Sequence, residues 1–526
     1  MRLCSMAICW VLVACAGRAW GREPDWEAMR GLPIVAIDID AAEVFDPRRP
    51  GENLFLFNWV NALHIRTRES VIRREFLFAV GEPFDPLRCD ESERNLRGLG
   101  IFQDARIEVQ AVEGGVRLLV LTSDRWSMRL VTDLSKEGDI YRVRLGLENI
   151  NFLGRGGLFG GNVVASNDVD AAQIFFAERR LFGSRWQTGY GYGSDGLVVV
   201  NDANLGRPYF SELVHWTSDL NYRTVRGERR VFYDDAMVDS LDLDETVAEA
   251  FGAGHAHGPT RTRFGLLYSQ RGLNRAIEAQ QSALGVCWGA LQRRYRQVQN
   301  VDRYSTSEDI SAGWSVQVGL GADLEALGAD ANRPLWRADA TIATFLGEHG
   351  LVGLQVRHHA FAGDQAVENG RVQSVLYGFW QPIAAQTLCW NVGFSALLRE
   401  PESMRFVLGG DNSLRGYPAR FDTGTRVFHA NLEHRLFTPV RVAFLGLGAA
   451  LFVDAGQAWE ANEPFTLGGT HVGGGAGIRI GNRKSGTSIF RIDFAFGRNS
   501  YEVSLSSGSF FGAARDFEFP DPSLIR

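Results

Sequence analysis

The feature that most constrains the fold is an alternation of apolar and polar residues that dominates the chain from Ser127 onwards. Residues 141–148, 336–342 and 388–398 all show this period of two. The period is typical of strands with one apolar face, and a soluble β-sandwich could show it as well. Segments of about ten residues that recur over residues 126–511 favour a transmembrane barrel, with its apolar face towards lipid. We therefore predict an all-β transmembrane barrel of about 16 antiparallel strands.

Composition and charge agree with this class. The chain has 526 residues, 59 glycines and 34 phenylalanines, which suits many turns and aromatic surfaces. Its net charge is −7, so no basic surface for nucleic acid is predicted. Residues 225–260 are rich in Asp, Glu, Arg, Gly and His, and this polarity predicts a long external loop.

The first 19 residues have the pattern of an export signal. Arg2 precedes a short apolar core, Met6–Ala14, and small residues follow it. We expect a cleaved signal peptide over residues 1–19, with cleavage after Ala16 or Ala19. Residues 12–15 also resemble a lipoprotein cleavage box, so lipidation of Cys15 is the alternative. Later segments are too short for a spanning helix, which leaves a secreted protein or an outer-membrane barrel.

Metal, disulfide and enzyme signals are weak. Beyond the signal, Cys89, Cys287 and Cys389 are odd in number and far apart, which predicts no disulfide framework. His255 and His257 have no third ligand in suitable spacing, so we expect no metal site there. No nucleophile elbow and no P-loop occur, and we expect neither a cofactor nor enzymatic activity.

Residues 24–125 predict a small α+β domain. A strand at residues 34–39, helical spacing between residues 53 and 99, and a hairpin over residues 105–121 make up its pattern. The runs Arg66–Glu75, Glu82–Asp85 and Glu91–Phe102 resemble a polypeptide-transport-associated (POTRA) domain. The resemblance implies that strand edges bind unfolded client chains by adding a strand. A rigid spacer is the alternative.

One glycine-rich reversal stands out between two predicted strands. Residues 409–418 contain three glycines and a proline around Arg415, and a strand later in the chain carries Asp454 among apolar residues. A buried cation and a buried acid each need a partner. We predict that Arg415 pairs with Asp454 inside the barrel. A surface hairpin tip and an unrelated acid are the alternative.

Strand parity indicates which side chains face the lumen. Leu451 and Val453 lie on the apolar face, so Asp454 lies on the opposite one. By the same parity the interior wall carries a cluster of charged side chains: Glu433, Arg435, Arg491 and Asp493.

Five segments in order carry a second resemblance. They are Asn151–Gly156, Arg180–Trp186, Leu414–Tyr417, Phe452–Gly456 and Arg491–Ala495. Together they resemble the outer-membrane assembly-factor superfamily, the bacterial surface antigen type of barrel, which includes BamA, TamA and the two-partner secretion transporters. The resemblance implies that a signature loop, here Leu414, Arg415, Gly416 and Tyr417, folds into the lumen. Its arginine then meets a wall motif, here Phe452, Asp454 and Gly456.

The resemblance also implies a function. The expected role is to insert, assemble or translocate polypeptides at the outer membrane, with the POTRA-like domain in the periplasm. Expected partners are unfolded outer-membrane or secreted polypeptides, the lipid bilayer and accessory periplasmic lipoproteins. A dedicated two-partner-type secretion transporter is the nearest alternative, and a passive porin or adhesin barrel is an alternative of another class.

Two features depart from the family pattern. Better-known members have two to five POTRA domains, and this chain has room for one. The predicted closing strand, Tyr501–Phe511, is followed by a tail over residues 512–526.

Overall fold

The computed structural model describes most of the chain in a series of ranges. They are residues 26–45, 55–137, 140–167, 170–211, 214, 216–233, 236–257, 260–274, 279–304, 307–363, 367–399, 405–410, 413–418, 421–442, 445–482, 484 and 489–507. The predicted signal peptide, Cys15 and the tail over residues 512–526 lie outside these ranges.

An N-terminal domain of three strands and three helices precedes the barrel. In chain order its elements are β1 (Ile34–Ala42), α1 (Phe55–Leu63), α2 (Glu69–Arg73), α3 (Pro86–Gly98), β2 (Phe102–Val112) and β3 (Gly115–Asp124). Strand β3 is central, parallel to β1 and antiparallel to β2. Helix α3 begins after Asp85, whose carboxylate accepts the Leu87 N–H, with Pro86 in the first turn.

Twenty antiparallel strands of the described residues form a closed barrel. The first group comprises β4 (Met128–Glu137), β5 (Ile140–Phe152), β6 (Gly157–Ser166), β7 (Ala171–Glu178), β8 (Gln187–Ser194), β9 (Val198–Arg207), β10 (Ser218–Tyr233) and β11 (Ala236–His257). Next come β12 (Thr260–Asn274), β13 (Ala279–Gln299), β14 (Ser307–Asp323), β15 (Arg333–Leu346), β16 (Gly350–Ala362), β17 (Val367–Ile383) and β18 (Gln386–Leu398). The last five are β21 (Arg426–Val442), β22 (Leu445–Trp459), β23 (His471–Asn482), β24 (Phe490–Phe496) and β25 (Tyr501–Ser507).

The prediction of about 16 strands was therefore wrong. It allowed room for long loops, whereas several connections are short, such as residues 138–139 between β4 and β5. Strands β7 and β8 have only eight residues each, which is shorter than the about ten residues per strand that the prediction assumed. A period of two reports which face a residue occupies but gives no information on where one strand ends.

The described residues between 225 and 260 lie in β10, β11 and β12, so the prediction of a loop there was wrong. Strands β10 and β11 pair from Asp219↔Phe251 to Tyr233↔Ala236. Residues 228–241 continue past both neighbouring strands, because β9 pairs only up to Gly227 and β12 only from Asp242. His255 and His257 lie within β11.

The barrel closes where the last strand meets the first. Residues 503–505 of β25 pair with residues 134–136 of β4. Strand β25 begins at Tyr501 as predicted and is described to Ser507, so residues 508–511 of the predicted closing strand lie outside the described ranges.

Exposure follows the predicted parity in β22. Leu451 and Val453 are 63% and 53% exposed on the outside, whereas Asp454 is fully buried on the inside. Within the described residues, no helix is long and apolar enough to cross a membrane.

We name the two ends of the barrel by what lies there. The domain end carries the N-terminal domain, beside the turns at residues 153–156 and 179–186. The loop end carries the connection between β18 and β21, residues 399–425, which holds a small sheet of β19 (Phe406–Leu408) and β20 (Asp422–Gly424).

Candidate functional site

The connection from β18 to β21 folds into the barrel, and we call its residues 405–424 the inward loop. Leu408 and Leu414 are fully buried and pack with Tyr417 against the wall residues Val427 and Ala458. These contacts hold the loop against the inner wall. Asp411, Asn412, Ala419 and Arg420 lie outside the described residues.

Tyr417 fixes the far side of the loop. Its hydroxyl donates to the Val472 carbonyl at 3.0 Å and accepts the Arg498 N–H at 3.2 Å. Gly416 has φ +89°, and a Cβ there would lie 2.6 Å from the carbonyl carbon of Phe496. Both the left-handed conformation and the close approach require glycine at this position.

Arg415 is 2% exposed and binds Asp454 in a bidentate pair. Its Nε donates to Asp454 Oδ2 at 2.7 Å and its Nη2 to Oδ1 at 2.9 Å. Its backbone N–H also donates to Oδ2, at 3.2 Å. The guanidinium lies 3.6 Å above the centre of the Phe452 ring, a cation–π contact. Planar bidentate geometry is specific to arginine, and lysine could not reproduce it.

A second carboxylate also accepts a hydrogen bond from Arg415. Arg415 Nη1 donates to Glu433 Oε2 at 2.7 Å, and Glu433 Oε1 accepts from Arg435 Nε at 2.8 Å. Arg479 Nη2 also reaches Glu433 Oε2, at 3.1 Å. Asp493 lies 3.8 Å from Arg415 Nη1.

The same cluster includes the remaining predicted wall residues. Asp493 accepts hydrogen bonds from Arg479 and, at 3.0 Å, from Arg491 Nη1. Asn431 Nδ2 donates to Asp454 Oδ1 and to the Ser413 carbonyl, both at 2.8 Å. Four arginines therefore surround three carboxylates, and these groups are all buried. Removal of any one member leaves an opposite charge poorly compensated.

The structure brings all of the predicted site residues into this region. Leu414, Arg415, Gly416 and Tyr417 lie on the inward loop, and Phe452, Asp454 and Gly456 lie on the wall beneath it. A Cβ on Gly456 would come within 2.9 Å of Leu408. The prediction missed Arg479, although its parity in β23 could have revealed it: it shares a face with Gly473, Gly475 and Gly477.

A second segment enters the lumen from the domain end and has no counterpart in the sequence prediction. The described residues from 292 to 312, at the end of β13 and the start of β14, do not pair with the neighbouring wall strands, because β12 pairs β13 up to Leu291 and β15 pairs β14 from Gly313. We call them the inward hairpin. Gly313 has φ +135°, and a Cβ there would lie 2.1 Å from the Gln292 carbonyl oxygen. Only glycine permits the bend by which the hairpin leaves the wall.

The hairpin tip packs against the inside of distant strands. Val301 packs with the inward-facing Tyr377, Phe379 and Cys389 of β17 and β18. Tyr304 reaches further round the wall, and its hydroxyl donates to the Leu447 carbonyl of β22 at 3.1 Å.

The tip is itself ordered by one carboxylate. Glu308 accepts the backbone N–H groups of Val301, Asp302 and Arg303 at 3.0–3.1 Å. Arg435 then binds the tip: its Nη1 donates to the Val301 carbonyl and, at 3.2 Å, to Asp302 Oδ1. The inward hairpin and the inward loop therefore meet at the Glu433–Arg435 pair.

The N-terminal domain docks on the barrel through the turn that precedes β8. Glu75, which is fully buried, accepts hydrogen bonds from Arg180 and, at 3.1 Å, from Arg185. A second turn takes part, because Asn151 Nδ2 donates to Thr67 Oγ1 at 2.8 Å. Two of the segments that carried the family resemblance, residues 151–156 and 180–186, are thus contacts for the domain.

Helix α3 also touches the inward hairpin. Arg97 binds Asp309 in a bidentate pair, Nε to Oδ2 at 2.9 Å and Nη2 to Oδ1 at 3.2 Å. Burial alone would lower the pKa of Arg97, but the hydrogen bond and charge of Asp309, with the charge of Glu93, outweigh it and raise the pKa. The domain therefore holds the hairpin through a charged pair.

Nothing in the described part of the chain resembles a metal centre. No group of three His, Cys, Asp or Glu residues there has the arrangement of a metal site. Cys89, Cys287 and Cys389 are buried, and no disulfide joins them.

Residues 377–513, which contain the inward loop and its wall partners, match the Omp85 superfamily domain. No curated protein matches the chain.

Three solved structures are similar at low identity. BamA from Haemophilus ducreyi lacking POTRA domains 1–3 is 12% identical, with 90% of this chain and 85% of that chain covered and a TM-score of 0.37. CdiB from Acinetobacter baumannii is 13% identical, with coverages of 91% and 74% and a TM-score of 0.41. CdiB from Escherichia coli is 12% identical, with coverages of 92% and 79% and a TM-score of 0.43.

Proposed function

We propose that this chain is an outer-membrane barrel of the Omp85 superfamily, whose domain matches residues 377–513, and that it inserts or assembles polypeptides in the outer membrane. In this proposal the N-terminal domain is a POTRA domain in the periplasm, and it captures unfolded client strands. The observation that carries the proposal is the buried ion pair between Arg415 of the inward loop and Asp454 of the wall.

Client capture is expected on one edge of the N-terminal sheet. The middle of the outer edge of β2 is covered by α3, since Glu93 accepts the Ile107 N–H at 2.9 Å and Arg97 donates to the Ala105 carbonyl. Residues 81–83 pair with the beginning of β1, at Ile34 and the residue before it. Within the described residues, no strand pairs with the rest of the outer edge of β1. We therefore propose that a client strand adds to β1.

Passage of the client then requires a change in the barrel. Ion pairs link the three segments. Arg97 of the domain binds Asp309 of the hairpin, and Asp302 at the hairpin tip binds Arg435 of the wall. Arg435 in turn shares Glu433 with Arg415 of the loop. We propose that displacement of the domain by a client loosens the hairpin and, through Glu433, the loop. The pairing of residues 134–136 with residues 503–505 is the proposed opening, because strand edges released there can receive a client strand.

Two alternatives predict different behaviour. A passive porin keeps an open lumen. The inward loop and the inward hairpin both lie in the lumen, and they therefore argue against a porin. A dedicated secretion transporter for a single partner uses the same barrel and the same domain, so only its range of clients distinguishes it from an assembly factor.

Depletion of the protein followed by outer-membrane proteomics tests the proposal. Loss of many barrel proteins supports assembly. Loss of one secreted protein favours the dedicated transporter, and an unchanged outer membrane contradicts both.

A further inference from the structure

Helix α1 presents an apolar stripe to the outside of the N-terminal domain. Phe55, Trp59 and Leu63 recur every four residues, so they lie on one side of the helix. Their exposed fractions are 84%, 60% and 62%. The opposite side is anchored, because Phe57 stacks on Phe45 with ring centres 4.1 Å apart. The stripe therefore lies on a helix that is fixed in the folded domain, and it faces outwards.

The stripe is continuous with the outer face of the barrel. Ile65, which is exposed, follows it and borders the β5–β6 turn, where a Cβ on Gly154 would lie 3.3 Å from Ile65 Cγ2. Leu153 and Phe152 of this turn are also exposed. The Phe152 ring lies 5.3 Å from that of Phe159, which is exposed on the outer face of β6. This outer face is the one that contacts lipid in an outer-membrane barrel.

The turn between β5 and β6 is strained in a way that serves this surface. Leu153 has φ +56°, a left-handed conformation that leucine rarely adopts. Its side chain is 47% exposed, and that of Phe152 beside it is 37% exposed. An apolar phase that covers both side chains would stabilise them.

We propose that α1 lies in the bilayer interface at the domain end of the barrel, with Trp59 at the boundary between headgroups and acyl chains. Tryptophan favours this depth, and an amphipathic helix lies parallel to the membrane with its apolar side inserted. The sequence of α1 contains no charged residue, so its binding depends on apolar contact and not on anionic lipid. The helix thereby fixes the N-terminal domain against the membrane. This inference requires the barrel to span a bilayer and does not depend on the transport activity.

Lipid-depth quenching tests the proposal on the full chain. Trp59→Cys, labelled with an environment-sensitive fluorophore, is placed in phosphatidylcholine nanodiscs with and without lipids that carry a quencher near the headgroup. Gln110→Cys on β2 is the matched control, because Gln110 is exposed near the β2–β3 turn, at the end of the sheet away from the barrel. Unsubstituted protein gives the background from the native cysteines.

We expect severalfold stronger lipid quenching at position 59 than at position 110, unchanged when anionic lipid is added. Equal quenching at the two positions, or quenching at 59 only by a water-soluble quencher, would overturn the proposal. Shielding of position 59 from the water-soluble quencher only after an unfolded polypeptide is added, or only at raised protein concentration, would also overturn the proposal. The stripe would then be covered by a client or by a second copy of the chain.

A second variant separates membrane contact from folding. Trp59→Ser with Leu63→Ser removes two residues of the stripe and leaves Phe57 in its buried contact. We expect a folded, heat-modifiable barrel whose N-terminal domain shows faster hydrogen exchange in nanodiscs but unchanged exchange in detergent. Unchanged exchange in both settings would contradict the inference.

Discussion

Arg415 and Arg435 share the carboxylate of Glu433, one at each oxygen, at 2.7 and 2.8 Å. Arg415 belongs to the loop that enters the lumen from one end, and Arg435 holds the tip of the hairpin that enters from the other end. One buried side chain therefore joins the two segments that fill the barrel. This junction makes the position of each segment sensitive to the other.

Glu433→Gln should loosen both segments. The substitution keeps the shape of the side chain and removes the charge that faces Arg415, Arg435 and Arg479. Loss of one partner from a buried ion pair costs about 3–5 kcal/mol. We expect lower thermal stability and higher single-channel conductance.

Glu249→Gln is the matched control for that variant. Glu249 is also buried and pairs with Arg337 at 2.8 Å, away from the inward loop and the inward hairpin. We expect it to lower stability without raising conductance. Equal conductance changes in the two variants would show that Glu433 affects conductance only by stabilising the barrel as a whole.

Gly481→Ala should displace the inward hairpin. A Cβ on Gly481 would lie 1.9 Å from the Cβ of Tyr304, a contact that forces the tip away from the wall. Conductance should rise, and we expect the same of Tyr304→Ala. Gly474→Ala on the same strand is the control, because its nearest neighbour would be the Phe452 carbonyl oxygen at 3.2 Å, which needs only a slight shift. Unchanged conductance in both Gly481→Ala and Tyr304→Ala would refute a plugging role for the hairpin.

Glu75→Gln should release the N-terminal domain from the barrel. Two arginines then lose their buried partner, and truncation of such a pair across an interface costs about 2–5 kcal/mol. The amide of Arg68, which donates to the Gly154 carbonyl across the interface at 3.0 Å, should exchange faster with solvent. Glu82→Gln, whose side chain is 45% exposed, is the control. The same exchange rate in both variants would exclude Glu75 as an anchor.

A disulfide across the closing strands should block insertion of client polypeptides. Ser135 and Ser504 are paired in the register of β4 and β25, so cysteines at both positions can be oxidised. We expect the oxidised protein to lose activity and the reduced protein to regain it. Cysteines at Ser315 and Thr341, paired in β14 and β15, provide the control. Full activity of the oxidised Ser135–Ser504 pair would rule out passage through this seam.

Local patterns in the sequence predicted the inner wall well. The side-chain period of a strand is a property of the backbone, so parity alone oriented Asp454 and Glu433 inward. Glycine spacing around Arg415 indicated the reversal for the same local reason. The number of strands could not be predicted from local patterns, because it depends on where pairing begins and ends. As described, the barrel strands range from seven residues in β24 and β25 to 22 in β11.

Local sequence patterns could not predict the inward hairpin, because its contacts are distant in sequence. Val301 and Tyr304 pack on β17, β18 and β22, and no periodicity reports such a contact. One signal was available: Tyr377 and Phe379 are bulky apolar residues on the lumen side of β17, where polar residues are expected. Their position indicates that something apolar covers them.

The central claim is that the Arg415–Asp454 pair holds the inward loop closed. Arg415→Ala, Asp454→Ala and the double variant form a cycle, with Arg415→Lys as a fourth variant that keeps the charge but loses the bidentate geometry.

Stability and single-channel conductance, measured together on that cycle, test the claim most directly. Each single variant should lower stability and raise conductance, Arg415→Lys should recover little, and the double variant should be no worse than Arg415→Ala. That result corresponds to a coupling energy equal in size to the cost of the Asp454→Ala substitution, about 3–5 kcal/mol for a buried pair. Strictly additive effects in the double variant would contradict the account.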